Sequence, residues 1–297
     1  MADAPRLSVS VAIPTYNRGA IAADAVERLL RLDPPPSEIL LVDQTRRHAP
    51  DVESRLGAFA SNGLVRWLRL PEPSIPAAMN EALRTATGDL VLFLDDDVVP
   101  VPELLAAHAA AYADRGVWAV AGQVLETGEE PEHLPISADA LEFRFRHDEA
   151  TDVRNVMAGN LSVDRLRARS IGGFDENFVM AAYRFESDFA LRIVAAGGRI
   201  RYEPRASVRH LKIASGGIRT WGDHRTSALP AHSAGDYYFA LHHAASFPRH
   251  VVTRLRRNVL TRYHLRHPWA IPAKLIGELR GLLLGWRLAR RGRKLLQ

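Results

Sequence analysis

At 297 residues, with 47% hydrophobic and 25% charged side chains, the chain is long enough for a full core and has the make-up of a soluble globular protein. It contains no cysteine, which excludes disulfides and thiolate metal sites. The net charge of +5 hides an asymmetry, because residues 249–297 hold thirteen Lys and Arg against one acid, Glu278, and the remainder is net acidic.

Met1 to Arg6 lacks a basic segment followed by an apolar one, so no signal peptide is expected. Nor does any run of roughly 18 apolar residues predict a membrane span. Leu7 to Ile13 predicts a first strand, stopped by Pro14-Thr15-Tyr16-Asn17. Ile21, Ala25, Leu29 and Leu32 follow at helical spacing, and Pro34-Pro35-Pro36 ends that helix. Glu38 to Asp43 reads as a second strand, Val52, Leu56 and Phe59 as a second helix closed by Asn62-Gly63, and Leu64 to Leu70 as a third strand. Ile75 to Ala86 is a third helix with Pro76 in its first turn. This alternation predicts an α/β fold with a mostly parallel sheet covered by helices on both faces.

Gly88 to Pro100 organises the chain. Leu90 to Leu94 has the length of a strand buried on both faces, and it stops at Asp95, Asp96 and Asp97. Three adjacent anions repel one another unless cations or donors offset them. Ligands bind at the carboxyl ends of strands in open α/β sheets. Two readings follow: a divalent-metal site that holds a diphosphate, or a solvated acidic turn. Beyond it, Pro102 to Tyr112 is helical, Val117 to Val124 a strand, Glu126 to Asp152 irregular, and Val153 to Val163 a strand carrying Gly159-Asn160. Gly172 to Glu176 is a turn, Phe185 to Ala196 a helix, and Arg199 to Glu203 and Ala206 to His210 two short extended segments. Arg219 to Ser233 is a loop, and the chain from Tyr237 is helical with breaks at Pro248, Pro268 and Pro272.

The turn after the first strand, Pro14-Thr15-Tyr16-Asn17-Arg18-Gly19, is neither a dinucleotide fingerprint nor a P-loop. No Gly-x-Ser-x-Gly elbow occurs. An aspartyl phosphotransferase is weakened rather than excluded, because arginines could bind its phosphate. Five segments in order carry a resemblance: Val9 to Arg18, Glu38 to Asp43, Gly88 to Pro100, Gly172-Gly-Phe-Asp-Glu176, and Glu186-Ser-Asp-Phe-Ala-Leu-Arg192 followed by Ala206 to His210. Together they make the chain similar to a family 2 glycosyltransferase of the GT-A fold over about residues 7 to 212.

The resemblance implies a GT-A domain over 1–235, with a nucleotide-sugar half to about 125 and an acceptor half from 126, followed by a basic helical region over 236–297. It implies a UDP-, dTDP- or GDP-sugar donor, a carbohydrate or lipid-linked acceptor, and Mg²⁺ or Mn²⁺, hard ions suited to oxygen ligands. Carried over, Asp97 ligates the metal, Asp95 contacts ribose or metal, Asp96 lies between them, and His210 is either a third ligand or a hydrogen-bonded residue shaping the site. Asp43 accepts from base or ribose, and Pro14, Tyr16 and Arg18 lie over the base. Glu186 or Asp188 is the base that deprotonates the acceptor, with Glu186 preferred. The family's Ala-Arg-Asn element is here Ala78-Met79-Asn80, which leaves Asn80 facing the nucleotide without the arginine. Acceptor choice is expected to lie in Glu126 to Asp152 and Lys212 to Asp236.

The expected activity is inverting transfer to an acceptor hydroxyl, in surface polysaccharide, glycolipid or other glycoconjugate assembly. A retaining transferase, a sugar-phosphate nucleotidyltransferase and a non-catalytic binding module remain as alternatives. In the tail, Ile271, Leu275, Ile276, Leu279, Leu282, Leu283 and Trp286 share one helical face, with Lys274 and arginines around it and Gly277, Gly281 and Gly285 every fourth residue. Either this helix packs on the catalytic domain or it lies on the anionic cytoplasmic leaflet, as a peripheral membrane contact. No nucleic-acid partner is expected, since no reading motif is present.

Overall fold

The computed structural model describes residues 7–133 and 143–297. Met1 to Arg6, and residues 134–142 of the segment expected to select the acceptor, lie outside the described residues. The chain opens with β1 (Val9–Thr15), α1 (Gly19–Leu30), β2 (Glu38–Asp43), α2 (Pro50–Ser61), β3 (Arg66–Arg69), α3 (Ile75–Thr85) and β4 (Leu90–Leu94). Period-two alternation divides these strands between two cores. Val11, Ile13, Ile39, Leu41, Leu92 and Leu94 face α1, α2 and the next helix, while Ala12, Leu40, Val42, Val91 and Phe93 face α3 and the later helices. All five residues of β4 are buried, each large apolar side chain contributing ~1.5–3 kcal/mol.

β5 (Val98–Pro100), α4 (Leu104–Ala111), β6 (Val117–Glu126), β7 (Thr151–Val153), β8 (Asn160–Asp164), α5 (Arg165–Ser170), α6 (Phe185–Ala195) and β9 (Arg199–His210) complete one mixed sheet. Its order is β3-β2-β1-β4-β8-β6-β9-β5, with β7 paired to β9. β1 to β4 are parallel, so Thr15, Asp43 and Leu94 end on the same edge. β8 runs against β4 with Asn160 opposite Leu94, so the chain enters β8 at that edge. β5 runs against β9 with Val98 opposite His210. That register places His210 beside the acidic run in spite of the sequence distance.

Two expectations need correction. The strand expected over Val153 to Val163 is confined to Asn160–Asp164, and 154–159 form a connecting loop that carries site residues. The two extended segments after α6 are one strand, β9, whose register against β6 shifts between Gly122 and Gln123.

The remaining helices are α7 (Ala234–His243), α8 (Phe247–Asn258), α9 (Arg262–Arg266) and α10 (Ile271–Arg290). Pro248 and Pro272 sit in the first turns of α8 and α10, where a missing N–H costs nothing, so they start helices rather than break them. α10 packs on α7 through its glycines. A Cβ on Gly281 would stand 2.0 Å from Ser233 Oγ, and one on Gly285 would stand 3.0 Å from Ala234 O. The opposite side of α10 leaves Leu275, Ile276, Leu279, Leu283 and Trp286 exposed. Among the described residues no helix is long and apolar enough to cross a membrane.

Candidate active site

A pocket of about 570 Å³ lies at the carboxyl edge of β1 and β4. Pro14, Tyr16, Arg18, Asp95, Asp96, Asp97, Glu186 and His210 all line it, whereas Asp43, Asn80 and Asp188 do not.

The three aspartates divide the space by chain direction. Asp96 turns inward, where Thr15 Oγ1 donates to it at 2.7 Å and Arg18 Nη1 at 2.9 Å. Burial wins at Asp96 and raises its pKa despite those donors. Asp97 is also buried. Burial alone would raise it, but His210 and Arg18 more than offset this and hold Asp97 at about 2. Its Oδ2 accepts from the Ile213 N–H at 3.0 Å and lies 3.2 Å from Arg18 Nη1, and its Oδ1 lies 3.1 Å from His210 Nε2. Asp97 in turn raises the pKa of His210. Asp95 opens into the pocket with 52% of its side chain exposed, and its Oδ2 is 3.9 Å from His210 Nε2. Water reaches Asp95 through a concave space walled by protein. That enclosure, with the Asp96 charge, pushes it up to about 6.

Asp95, Asp97 and His210 each offer a ligand atom, all within 4.8 Å of one another. Two hard oxygens and an imidazole fit Mg²⁺ or Mn²⁺, the imidazole favouring Mn²⁺. The wall facing them is cut to fit: a Cβ on Gly159 would stand 2.5 Å from Asp95 Oδ2. Gly159 stands there because β8 begins opposite the end of β4, and its carbonyl accepts from the Asp95 N–H at 3.3 Å.

Arg18 is placed differently from its expected position over a base. It lies against Asp96 and Asp97 and donates to the carbonyls of Ser215 at 2.6 Å and Ile213 at 3.0 Å. The crowded carboxylates draw the guanidinium inward, and it pins the segment after β9 across the pocket edge. Pro14 and Tyr16 line the pocket wall.

Glu186 enters from the first turn of α6, where the helix dipole favours an acid. The Ala158 N–H donates to its Oε1 at 2.7 Å. Burial pushes its pKa up to about 7 despite that donor, and the Asp95 charge adds to the rise. Met180, Ala182 and Arg184, on the same wall, hold positive φ angles of 61°, 49° and 72°. For residues with a Cβ this costs of order 1–3 kcal/mol each, and such strain gathers at ligand sites.

Asp188, two residues on, faces the interior instead. It accepts from Arg192 Nε at 2.9 Å and Arg293 Nη1 at 2.6 Å, and lies 2.7 Å from His243 Nε2. Burial would raise it, but the hydrogen bond with His243 and the Arg192 and Arg293 guanidiniums hold it well below the usual carboxylate range. A carboxylate so held has no open face toward an acceptor and little basicity, which corrects its candidacy as base. Asp43 is likewise enclosed rather than open to a base or ribose. The Thr45 N–H and Trp67 Nε1 donate to it at 2.8 and 2.9 Å, and His48 Nε2 lies 2.6 Å away. Asn80 donates to Phe174 O at 2.8 Å and accepts from the Phe174 N–H at 2.8 Å, so it clamps α3 to the Gly172–Glu176 turn instead of facing a nucleotide.

Thr15, Ala158, Gly159 and Ile213 were missed by sequence reasoning. Three of these four act through backbone or through lack of a side chain, so residue type gave no signal. The Thr15 hydroxyl could have been read from its place at the end of the first strand.

Comparison with known proteins agrees with this architecture. The model of the glycosyl transferase family 2 matches residues 10–188. The pre-mycofactocin glycosyltransferase of Mycobacterium tuberculosis is 29% identical over 209 residues, 68% of this chain and 42% of that protein, so the chain spans under half of that relative's length. Residues 1–349 of S. aureus TarS, solved in complex with UDP-GlcNAc, superpose with a TM-score of 0.61 at 15% identity, covering 96% of this chain and 92% of that one. The mannosyltransferase PcManGT from Pyrobaculum calidifontis, solved with GDP-Man and Mn²⁺, gives a TM-score of 0.55 at 19% identity, covering 97% and 79%. These likenesses agree with a GT-A fold. The family match runs over every strand end and helix turn that brings a carboxylate into the pocket, and on that ground the chain belongs to glycosyl transferase family 2.

Proposed function

We propose that the protein is a metal-dependent, inverting glycosyltransferase that moves a sugar from a UDP-, dTDP- or GDP-sugar to an acceptor hydroxyl. The observation that carries the reading is the placing of Glu186, a carboxylate raised to about 7, across one pocket from Asp95, Asp97 and His210. The solved neighbours support the donor class, since one holds UDP-GlcNAc and another GDP-Man with Mn²⁺.

Asp95, Asp97 and His210 would hold Mg²⁺ or Mn²⁺, which neutralises the negative charge that builds on a leaving diphosphate. Pro14 and Tyr16 form the wall toward the nucleotide. Arg18 keeps Asp96 and Asp97 together and orients the second toward His210. Glu186 takes the proton of the acceptor hydroxyl as its oxygen bonds to the anomeric carbon and the bond from that carbon to the diphosphate oxygen breaks. A base with a pKa near 7 is half deprotonated at neutral pH, which suits that task. Attack from the side opposite the leaving group inverts the anomeric carbon.

The acceptor is a carbohydrate or lipid-linked hydroxyl, in surface polysaccharide or other glycoconjugate assembly at the cytoplasmic face of an anionic membrane. The support for the membrane is the unpaired side of α10. Leu275, Ile276, Leu279, Leu283 and Trp286 are 45–58% exposed there, with Arg280, Arg287 and Arg290 alongside. That is the make-up of a helix lying in a lipid interface. Full-length protein should pellet with anionic vesicles and less so in high salt, and L279E/L283E should stay in the supernatant; equal pelleting of the two removes the membrane contact.

The donor reading is tested by a hydrolysis and thermal-shift panel of UDP-, dTDP- and GDP-sugars with Mn²⁺ and Mg²⁺. Stabilisation and slow hydrolysis of one donor, dependent on the ion, is expected. Binding without any turnover, on water or on acceptors, would instead mark a binding module. Product of retained configuration would remove the assigned role of Glu186.

A further inference from the structure

Outside the pocket, one cluster of buried charge lies beneath the start of α6. Asp175 and Asp188 are both fully buried there, beside Phe174, Phe178 and Phe189. Arg293 reaches both, with Nη1 2.6 Å from Asp188 Oδ1 and 3.4 Å from Asp175 Oδ2. Arg293 does not belong to α10. The helix ends at Arg290, Gly292 turns the chain with φ 79°, and the following residues run back along the Gly172–Glu176 turn.

That return segment is tied down along its length. Gly292 O accepts from Asn177 Nδ2 at 2.6 Å, and the Lys294 N–H donates to Asp175 Oδ1 at 3.0 Å. The Glu176 N–H donates to Lys294 O at 2.9 Å, and the Leu296 N–H to Gly172 O at 2.7 Å. Gly172 and Gly173 have φ angles of 82° and 58°, and Cβ atoms on them would meet Leu295 at 2.8 Å and Leu296 at 3.2 Å. The paired glycines thus serve two needs, the turn itself and room for the segment laid over it.

We infer that residues 292–296 are a strap that sets the position of Glu186, and that Arg293 is its positioning residue; the inference rests on Glu186 as the base. Locally, the first turn of α6 is held by the Phe185 N–H to Ala182 O and Asp188 N–H to Arg184 O bonds and by Arg192 on Asp188. Its N-cap, Arg184, has a φ of 72° and makes no side-chain cap. Glu186 and Asp188 leave that turn in different directions, one to the pocket and one to the interior. The Ala158 N–H holds the first. Outside α6, His243 and Arg293 hold the second, and Arg293 Nη2 also lies 3.3 Å from His243 Nε2. Because the Asp188 anchor lies two residues from Glu186, loosening Arg293 frees the turn to shift while the donor wall on β1 and β4 stays in place. Misplacing a reacting group by about 1 Å costs on the order of 10²-fold in rate.

The test compares Arg293→Gln and Arg293→Lys in the full chain, using ion-dependent hydrolysis of the sugar nucleotide that the wild type turns over, together with amide hydrogen exchange. Arg293→Gln should lower kcat by roughly 10–10²-fold per folded molecule, with donor KM within about twofold. Exchange should quicken at Phe185–Phe189 and at Ala158, and Arg293→Lys, which keeps the charge, should recover part of both. A kcat per folded molecule and an exchange pattern that stay at wild-type levels, even with a lowered Tm, would overturn the inference and leave a structural clasp. Leu296→Ala, which loosens the strap without exposing a buried charge, serves if Arg293→Gln does not fold, with the same outcomes. If no sugar nucleotide is hydrolysed by the wild type, the donor reading fails separately and exchange at Phe185–Phe189 alone decides whether the strap sets that turn.

Discussion

On one side of the pocket, Tyr16, Asp95, Asp96 and Asp97 follow directly from the ends of β1 and β4, neighbours in a parallel sheet. On the other side, Glu186 stands on α6, takes its hydrogen bond from a loop before β8, and lies two residues from an acid clasped by α7 and by the segment after α10. The first wall is fixed by short apolar strands whose ends fall on one edge by topology. The second is assembled from distant segments and is only as well placed as their packing. In the proposed reading, chemistry that needs charge in a fixed place falls to the first wall, and chemistry that needs a proton taken at one atom falls to the second.

The comparison is broken most severely at the first wall. Asp97→Ala should bring ion-dependent donor binding and hydrolysis below detection, measured by calorimetry and product release, because it removes the one carboxylate that faces both His210 and Arg18. Near-normal turnover would sink the metal assignment. Asp96→Asn should do less, because its partners Thr15 and Arg18 hold it away from the ligand group.

At the second wall, Glu186→Gln should lower turnover by ~10²–10⁴-fold, the usual range for a lost general base, with donor affinity little changed. The pH profile sharpens this. A base must be deprotonated, so wild-type hydrolysis should fall about tenfold per pH unit below about 7, where burial has set Glu186, and the Gln variant should lose that limb. The same shift has a stability sign. A carboxylate whose folded pKa is raised loses stability as pH rises from its unfolded value through the folded one. Glu186→Gln should therefore raise Tm at pH 8 relative to wild type, and an unchanged Tm would argue against the burial that sets its pKa.

Asp188 should show the reverse. Its folded pKa is lowered, so its stabilising contribution is present above the unfolded value and is lost as pH falls toward the folded one. Asp188→Asn should cost of order 3–5 kcal/mol by urea unfolding at pH 7, since it takes from Arg192 its carboxylate partner and from Arg293 the nearer of its two. An Asn variant of wild-type stability with lost turnover would return Asp188 to the role of base.

How much was legible follows the same division. β2 and β4 coincide with their expected bounds, because buried strands between turn signals are local patterns. The Asp-Asp-Asp run was legible as an acidic strand end for the same reason, whereas the preference for Glu186 came only through the resemblance. His210 carried a signal only through the resemblance, since its neighbour Val98 is set by register and not by sequence distance. Asp43, Asn80 and Asp188 show the limit. Their residue types suit a nucleotide or an acceptor, but His48, Trp67, Phe174 and Arg293 engage them, and nothing near each residue in sequence names all of those partners. The tail was read as either packed or membrane-facing, whereas α10 packs with one side and exposes the other.

The smallest effect separates the two regions by a single methyl group. Gly57 lies inside α2, with nothing within 4 Å of the place a Cβ would take. There the glycine only costs helix propensity, so Gly57→Ala should stabilise the protein by about 0.8–1 kcal/mol. Gly281 lies inside α10 and gains the same propensity on becoming Ala, but its Cβ would stand 2.0 Å from Ser233 Oγ, 2.6 Å from Ser233 Cβ and 2.9 Å from the Ala234 backbone nitrogen. The hydroxyl could rotate away, but the other two atoms move only with the start of α7 itself. Overpacking of that kind costs ~1–3 kcal/mol, more than propensity returns, so Gly281→Ala should lower stability. Urea midpoints of the two variants should thus move in opposite directions. If both rise, α10 has room against α7, and the glycine spacing that the sequence displays is not what brings the two helices together.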